Sequence, residues 1–202
     1  NYGAEVILIH DDGDIGACIA ECMATAERMA KENPNVYIPG QFENPNNPKV
    51  HIYHTAAEIL EQVGGDIDGF CSGVGTGGTI SGIGEVLKKQ NPAIKIWAVE
   101  PENAAILSGG AIGTHLQMGI GDGLIPENLN TRIYDNICLV SDEEAIATAK
   151  RLASEEGIMC GISSGSNVAA AIKLAKRLGK GKTVVTVLPD TGERYFSTIL
   201  FD

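Results

Sequence analysis

No stretch of this 202-residue chain approaches the roughly 20 consecutive apolar residues of a membrane-spanning helix. Nor do the opening residues, Asn1-Tyr-Gly-Ala-Glu5, have the basic region and apolar core of a secretory leader. Basic residues are few: 15 Lys and Arg stand against 26 Asp and Glu, for a net charge of −11. They are also scattered, so no basic stripe is available for a polyanion, which argues against DNA and RNA as partners. Five cysteines, an odd number, sit mostly within apolar or helical stretches, as reduced buried thiols do. Cys18 and Cys22 share a helix face, but no histidine or further cysteine pair completes a metal set, and none is expected. His51 and His54 likewise lack a partner cluster and are expected near a helix start, facing solvent. Internal repeats and low-complexity tracts are absent. The expectation is a cytoplasmic globular protein, 44 % hydrophobic and large enough for one large or two small domains.

Apolar runs of strand length alternate with stretches of helical period. Strands are expected at Glu5 to Ile9, Val36 to Ile38, Ile67 to Cys71, Ile94 to Val99, Ile137 to Val140 and Thr183 to Leu188. Helices are expected at Ile15 to Glu32, His51 to Val63, Ile80 to Lys89, Asp142 to Glu156 and Asn167 to Leu178. This order predicts an α/β fold: a mainly parallel twisted sheet with helices on both faces. Ser141-Asp-Glu-Glu144 has the capping-box spacing of a helix start. Glu43-Asn-Pro-Asn-Asn-Pro48 reads as a turn-rich crossing, and Ser108 to Leu129 as a long glycine-rich loop, a candidate rim or lid.

The most informative run is Gly73-Val-Gly-Thr-Gly-Gly-Thr79, set between a strand and a helix. Its glycines let backbone N–H groups at a helix start approach an anion, and Thr76 and Thr79 add hydroxyl donors. Three free oxygens suit that donor set, so a phosphate monoester fits better than a pyrophosphate. Gly161-Ile-Ser-Ser-Gly165 and Pro189-Asp-Thr-Gly192 are expected at strand ends beside it, converging on one site. A rival reading exists. Gly73-x-Gly75-x-x-Gly78 is also a dinucleotide fingerprint, with Glu100 about where an acid would hold a ribose hydroxyl. That fingerprint needs neither threonine and gives the other two segments no role.

Taken in order, these segments resemble the cysteine synthase (O-acetylserine sulfhydrylase) family of pyridoxal phosphate enzymes. The resemblance rests on Gln41-Phe-Glu-Asn-Pro-Asn-Asn-Pro48, Gly73 to Thr79, Val99-Glu-Pro101, Gly119-Ile-Gly-Asp-Gly-Leu-Ile-Pro126, Gly161 to Gly165, and Pro189-Asp-Thr-Gly-Glu-Arg-Tyr-Phe-Ser-Thr198. It implies the fold type II, tryptophan synthase β-subunit-like architecture. Residues 1–39 would be a remnant of the smaller N-terminal substrate domain, and residues 40–202 the larger domain that binds pyridoxal 5′-phosphate. It further implies that Gly75, Thr76, Gly77, Gly78 and Thr79 wrap the cofactor phosphate, and that Ser163 hydrogen-bonds the pyridine nitrogen. Gln41, Phe42 and Gly119 would face the amino-acid substrate. The implied reaction is β-replacement, making L-cysteine from O-acetyl-L-serine and sulfide. The implied partners are a second copy in a homodimer and the tail of serine acetyltransferase.

The chain departs from the family in three places. No lysine stands in the Lys-Asp-Arg context of the family's Schiff-base lysine, so the chain is expected to match the C-terminal two thirds of the enzyme and to be inactive alone. Thr114-His-Leu-Gln-Met118 replaces the usual Pro-His-Lys-Ile-Gln, putting Met118 where a pocket glutamine is common. Asp122 stands where a small apolar residue is usual, and a carboxylate there could act as a general base. In-family alternatives are therefore a cysteine lyase that releases hydrogen sulfide with Asp122 as base, and a cystathionine β-synthase. From other classes come a dinucleotide-binding module and a non-catalytic binding fragment.

Overall fold

Parallel strands need long crossovers, and the helical stretches between the apolar runs supply them. In the computed structural model, which describes residues 3–10 and 15–202, four strands form one sheet. They are β1 (Gly69–Gly73), β2 (Lys95–Pro101), β3 (Asn136–Val140) and β4 (Val184–Thr186), all parallel, in the order β3-β2-β1-β4. The helices are α1 (Ile15–Glu32), α2 (Asn46–Val50), α3 (Ala56–Val63), α4 (Gly78–Gln90), α5 (Asp142–Glu156) and α6 (Ile162–Leu178). A π-helical turn, His51–Thr55, joins α2 to α3.

Because side chains alternate along a strand, each face of the sheet gathers its own core. On one face Phe70, Ile96 and Ala98 pack with Ile80, Ile83 and Leu87 of α4. On the other, Cys71, Trp97, Val99 and Cys138 pack with Ala145 and Ala149 of α5 and with Ala170 and Leu174 of α6. Register sets this pattern: Phe70 lies opposite Ile96, Cys71 opposite Trp97, and Val99 opposite Cys138. Burial raises the Cys71 thiol to about 12, so it behaves as an apolar side chain. Cys138 and Cys160 are buried too, whereas Cys22 is exposed and Cys18 half-buried. Among the described residues no cluster of His, Cys, Asp or Glu could hold a metal ion, and no helix is long and apolar enough to cross a membrane.

Three expectations are corrected. Residues 5–9 and 36–38 form no strand; Val6, Leu8 and Tyr37 are at least 74 % exposed, and no neighbouring strand accepts their ladder bonds. Helix α6 begins at Ile162, five residues before the expected Asn167. Glycine and serine read locally as loop, but residues 162–167 are all buried, and this packing overrides propensity. The Gly161 to Gly165 segment is thus the opening turn of a helix rather than the end of a strand.

Ser141 accepts from the Glu144 amide at 3.2 Å, the expected cap of α5. Ser141→Ala removes that acceptor and should cost about 1 kcal/mol. Urea denaturation checks it: the midpoint should fall while the slope stays the same.

Candidate functional site

The strand order reverses at β1. The chain runs from β1 outward to β2 and β3, then returns to place β4 on the opposite side of β1. In open parallel sheets such a switch point leaves a crevice beyond the carboxyl ends of the strands. Asn167 of α6, 2 % exposed, spans the crevice floor. Its Oδ1 accepts from the Gly73 amide at 2.6 Å and its Nδ2 donates to the Val187 carbonyl at 2.8 Å. A cavity of about 610 Å³ opens above it.

One wall of that cavity is the glycine run. Gly77 caps α4 with φ +79°, a left-handed conformation that a side chain resists, and a Cβ there would come within 2.7 Å of Leu129 Cβ. Gly75 packs directly against the Gly119 carbonyl, leaving no room for a Cβ. The first N–H groups of α4 have no intrahelical acceptor and face this wall. Asn47 Nδ2 donates to Thr76 Oγ1 at 2.9 Å, so the Thr76 hydroxyl hydrogen is available to another acceptor. Gly75, Thr76, Gly77, Thr79, Gly119 and Ser163 all line the cavity. Gly78 does not, and a Cβ there would collide with the Asn47 side-chain amide.

Gln41, Phe42 and Asp122 line a second cavity of about 460 Å³, walled by Ile19, Met23 and Ala26 of α1. The Gln41 carbonyl accepts from both Asn47 and Asn128, each at 2.8 Å, which fixes this link against the glycine wall. Asp122 sits behind the Gly75–Gly119 contact, its Oδ2 3.5 Å from where a Gly75 Cβ would stand. Burial pushes the Asp122 carboxyl above the usual carboxylate range, and the nearby His115 partly opposes this. The candidate residues therefore divide between two adjoining cavities.

The placement of His51 and the role of Gln117 were not legible in the sequence. His51, expected to face solvent, is half-buried against α4 and lines the first cavity with Thr79; His54 is exposed, as expected. Gln117 is fully buried, donating to the Val140 carbonyl and Asp142 and accepting from Ser166, so it anchors the long loop to α5 and α6. Met118, half exposed, reaches the cavity edge. Asp190 lines the cavity with Oδ2 held by the Tyr195 hydroxyl at 2.6 Å and Oδ1 buried without a partner. Glu100, the acid of the dinucleotide reading, is 2 % exposed and accepts from Leu107 and Ser108 of its own loop. Buried in that way it is out of reach of a ribose hydroxyl.

Residues 1–190 match the family model described as pyridoxal-phosphate dependent enzyme. The chain belongs to that family. A cysteine synthase from Staphylococcus aureus is 51 % identical over 201 residues, which cover 99 % of this chain and 63 % of the relative. The chain thus spans less than two thirds of the length of that relative. A crystal structure of cysteine synthase (OASS) from Entamoeba histolytica superposes with a TM-score of 0.90 at 41 % identity, covering 98 % of this chain and 58 % of that one. A hydrogen sulfide-producing enzyme from Fusobacterium nucleatum also gives 0.90, at 39 % identity, covering 99 % and 60 %. With these neighbours the expected fold type II architecture is established.

The Asp122 carboxyl yields a pH-dependent outcome. A group whose pKa is raised by folding favours the folded state below its unfolded pKa, and that advantage is lost as pH rises through the folded value. Asp122→Asn, which stays neutral, should therefore melt at the same temperature as the parent near pH 3 and higher at pH 7. Melting curves across that range check it; a lower melting temperature at pH 7 would contradict burial as the cause.

Proposed function

We propose that this chain carries the phosphate-binding and substrate-facing parts of a cysteine synthase, which makes L-cysteine from O-acetyl-L-serine and sulfide. The observation that carries the reading is the glycine wall at the switch point, where α4 N–H groups and two threonine hydroxyls face one cavity. The residues present fit a phosphate monoester there: a side chain at Gly75 or Gly77 would meet protein atoms, and the opening amides of a helix have no intrahelical acceptor. Gly75, Thr76, Gly77 and Thr79 would hold the phosphate from the cavity wall, and Gly78, just behind it, would offer the amide that opens α4. Ser163, 4 % exposed on the same cavity, would hold the ring nitrogen through a neutral hydroxyl.

Pyridoxal phosphate, when bound, supplies the electron sink that lets a group on the substrate Cβ leave and a nucleophile replace it. The chain's own residues bind and orient. Gln41 and Phe42 would face the amino acid from the second cavity, their main chain clamped by Asn47 and Asn128. The Gly119 main chain, in contact with Gly75, would line the boundary between the two cavities. None of the ten lysines stands in a Lys-Asp-Arg context, so none is given the proton transfer at Cα, and turnover is not expected of these 202 residues alone. The division into residues 1–39 and 40–202 belongs to the same reading, since the whole sheet falls in the second part. Homodimer formation and docking of serine acetyltransferase rest on the family resemblance.

Asp122 favours a second reading, a cysteine lyase that releases hydrogen sulfide. Its carboxylate shares a cavity with Gln41 and Phe42, where it is placed to take a proton from water or a second nucleophile.

Two measurements test these readings. Pyridoxal 5′-phosphate should raise the melting temperature of the chain where a nicotinamide dinucleotide does not. Thr76→Val and Thr79→Val should each weaken its binding about tenfold, the loss of one hydrogen bond to a charged acceptor. Stabilisation by the dinucleotide alone would reverse the assignment. In the enzyme containing the Lys-Asp-Arg segment, Asp122→Ala should abolish sulfide release from cysteine while sparing cysteine synthesis. Loss of both activities, or of neither, removes the lyase reading.

A further inference from the structure

One ring at the cavity has no role in the reaction described above. His51 joins two hydroxyls: its Nδ1 lies 3.0 Å from Thr55 Oγ1 and its Nε2 lies 3.3 Å from Thr79 Oγ1. All three residues line the 610 Å³ cavity. Position explains the reach. The π-helical turn His51–Thr55 packs on α4, where a Cβ on Gly82 would stand only 2.7 Å from His51 Cβ. The bare face of Gly82 lets the ring lie along the first turn of α4 and meet Thr79. Single π-helical turns of this kind recur at functional sites because they re-aim a side chain that an α-helix would place elsewhere.

Thr79 has one hydroxyl hydrogen, and its direction decides what the oxygen offers an anion. With a lone pair on Nε2, the ring takes that hydrogen and the oxygen turns only lone pairs toward the cavity, which repels an anion. With a hydrogen on Nε2, the Thr79 oxygen accepts it, and its own hydrogen is released to the cavity. We propose that His51 is a positioning residue for a phosphate monoester in this cavity, holding Thr79 as a donor to the anion. The relay runs from the Thr55 hydroxyl to Nδ1, from Nε2–H to Thr79 Oγ1, and from the Thr79 hydroxyl to phosphate. This deepens the phosphate-cradle reading and rests on it.

Protonation of the ring strengthens the arrangement. Imidazolium donates from both nitrogens, so Thr79 remains a donor and a positive charge is added beside the anion. Burial alone holds His51 below its ordinary value. The groups on the elements around it leave that balance to the ligand. Lys49 of α2, His54 of the same turn, and Glu58 and Glu61 of α3 are exposed. Residues 78–84 of α4 carry no charge, its charged residues being on later turns. Asp190 faces the cavity from beyond β4. A bound phosphate dianion supplies the missing counter-charge, so binding takes up a proton at His51.

The probes are pyridoxine 5′-phosphate and pyridoxine, which lack the aldehyde and need no lysine. Their affinity ratio for the 202-residue chain, measured by calorimetry, isolates the phosphate contribution. His51→Gln keeps an amide donor near the Nε2 position, whereas His51→Asn places its amide near Nδ1, short of Thr79. The ratio should be nearly preserved in His51→Gln and fall about tenfold in His51→Asn and His51→Ala. From pH 8 to pH 6 it should rise more steeply for the parent than for His51→Gln. Equal ratios in the parent, Gln and Asn chains would overturn the role of His51 while leaving the cradle standing. A parent chain that binds both probes equally would overturn the cradle and this proposal together. Should His51→Ala fail to fold, the comparison of Gln with Asn decides.

Discussion

Where the ladder between β1 and β4 ends, a single buried amide bridges the two chain segments between which the cavity opens. Asn167 reaches from α6 to the Gly73 amide at the end of β1 and to the Val187 carbonyl just beyond β4. Its own carbonyl accepts a weak bond from the Cys71 thiol at 3.5 Å, tying the same helix to the strand interior. Main-chain groups at the ends of strands lose their ladder partners, and stranding one in a buried place costs about 1–3 kcal/mol. Asn167 satisfies two of them with one side chain. It thereby fixes the separation of the segments leaving β1 and β4, the point from which the glycine wall and the opening of α4 begin.

A second buried amide does the corresponding work for the long loop. Gln117, wholly buried, bonds to the end of β3, to the start of α5 and to Ser166 one residue before Asn167. The loop that carries Gly119 and Asp122 is therefore referenced to the same stretch of α6 as the crevice floor. This explains how a glycine-rich segment without helical or strand periodicity keeps a fixed relation to the cavity. Positive-φ glycines at 119, 121 and 123 turn this segment, and the buried Gln117 side chain is one of the bonds that hold it in place.

Much of this was legible from residue pattern, and the limits have physical causes. The parallel sheet, its two-sided cover and the Ser141 cap follow from period and spacing, which are local properties. The glycine wall was legible because its backbone demands exclude other residues. His51 was not, because its meaning arises from a π-helical turn and the bareness of Gly82, neither of which leaves a periodic trace. Asn47 sits in a segment that reads only as a turn, yet its amide joins Thr76 to Gln41. The strands expected at residues 5–9 and 36–38 have the right composition, but a strand exists only with a neighbour. Glu100 matched a dinucleotide pattern by spacing, and only its burial shows that it closes its own loop.

The contact between Gly75 and Gly119 has a consequence for how this site can change. Two backbones meet there with no side chain between them, and Asp122 lies immediately behind. A substitution that shifts the 119–123 segment is transmitted at once to the wall facing the phosphate, since no flexible side chain absorbs the displacement. The two cavities therefore cannot be reshaped independently. A lineage that alters what the second cavity accepts must keep both glycines and work through side chains at the margin, as the residues at positions 118 and 122 allow.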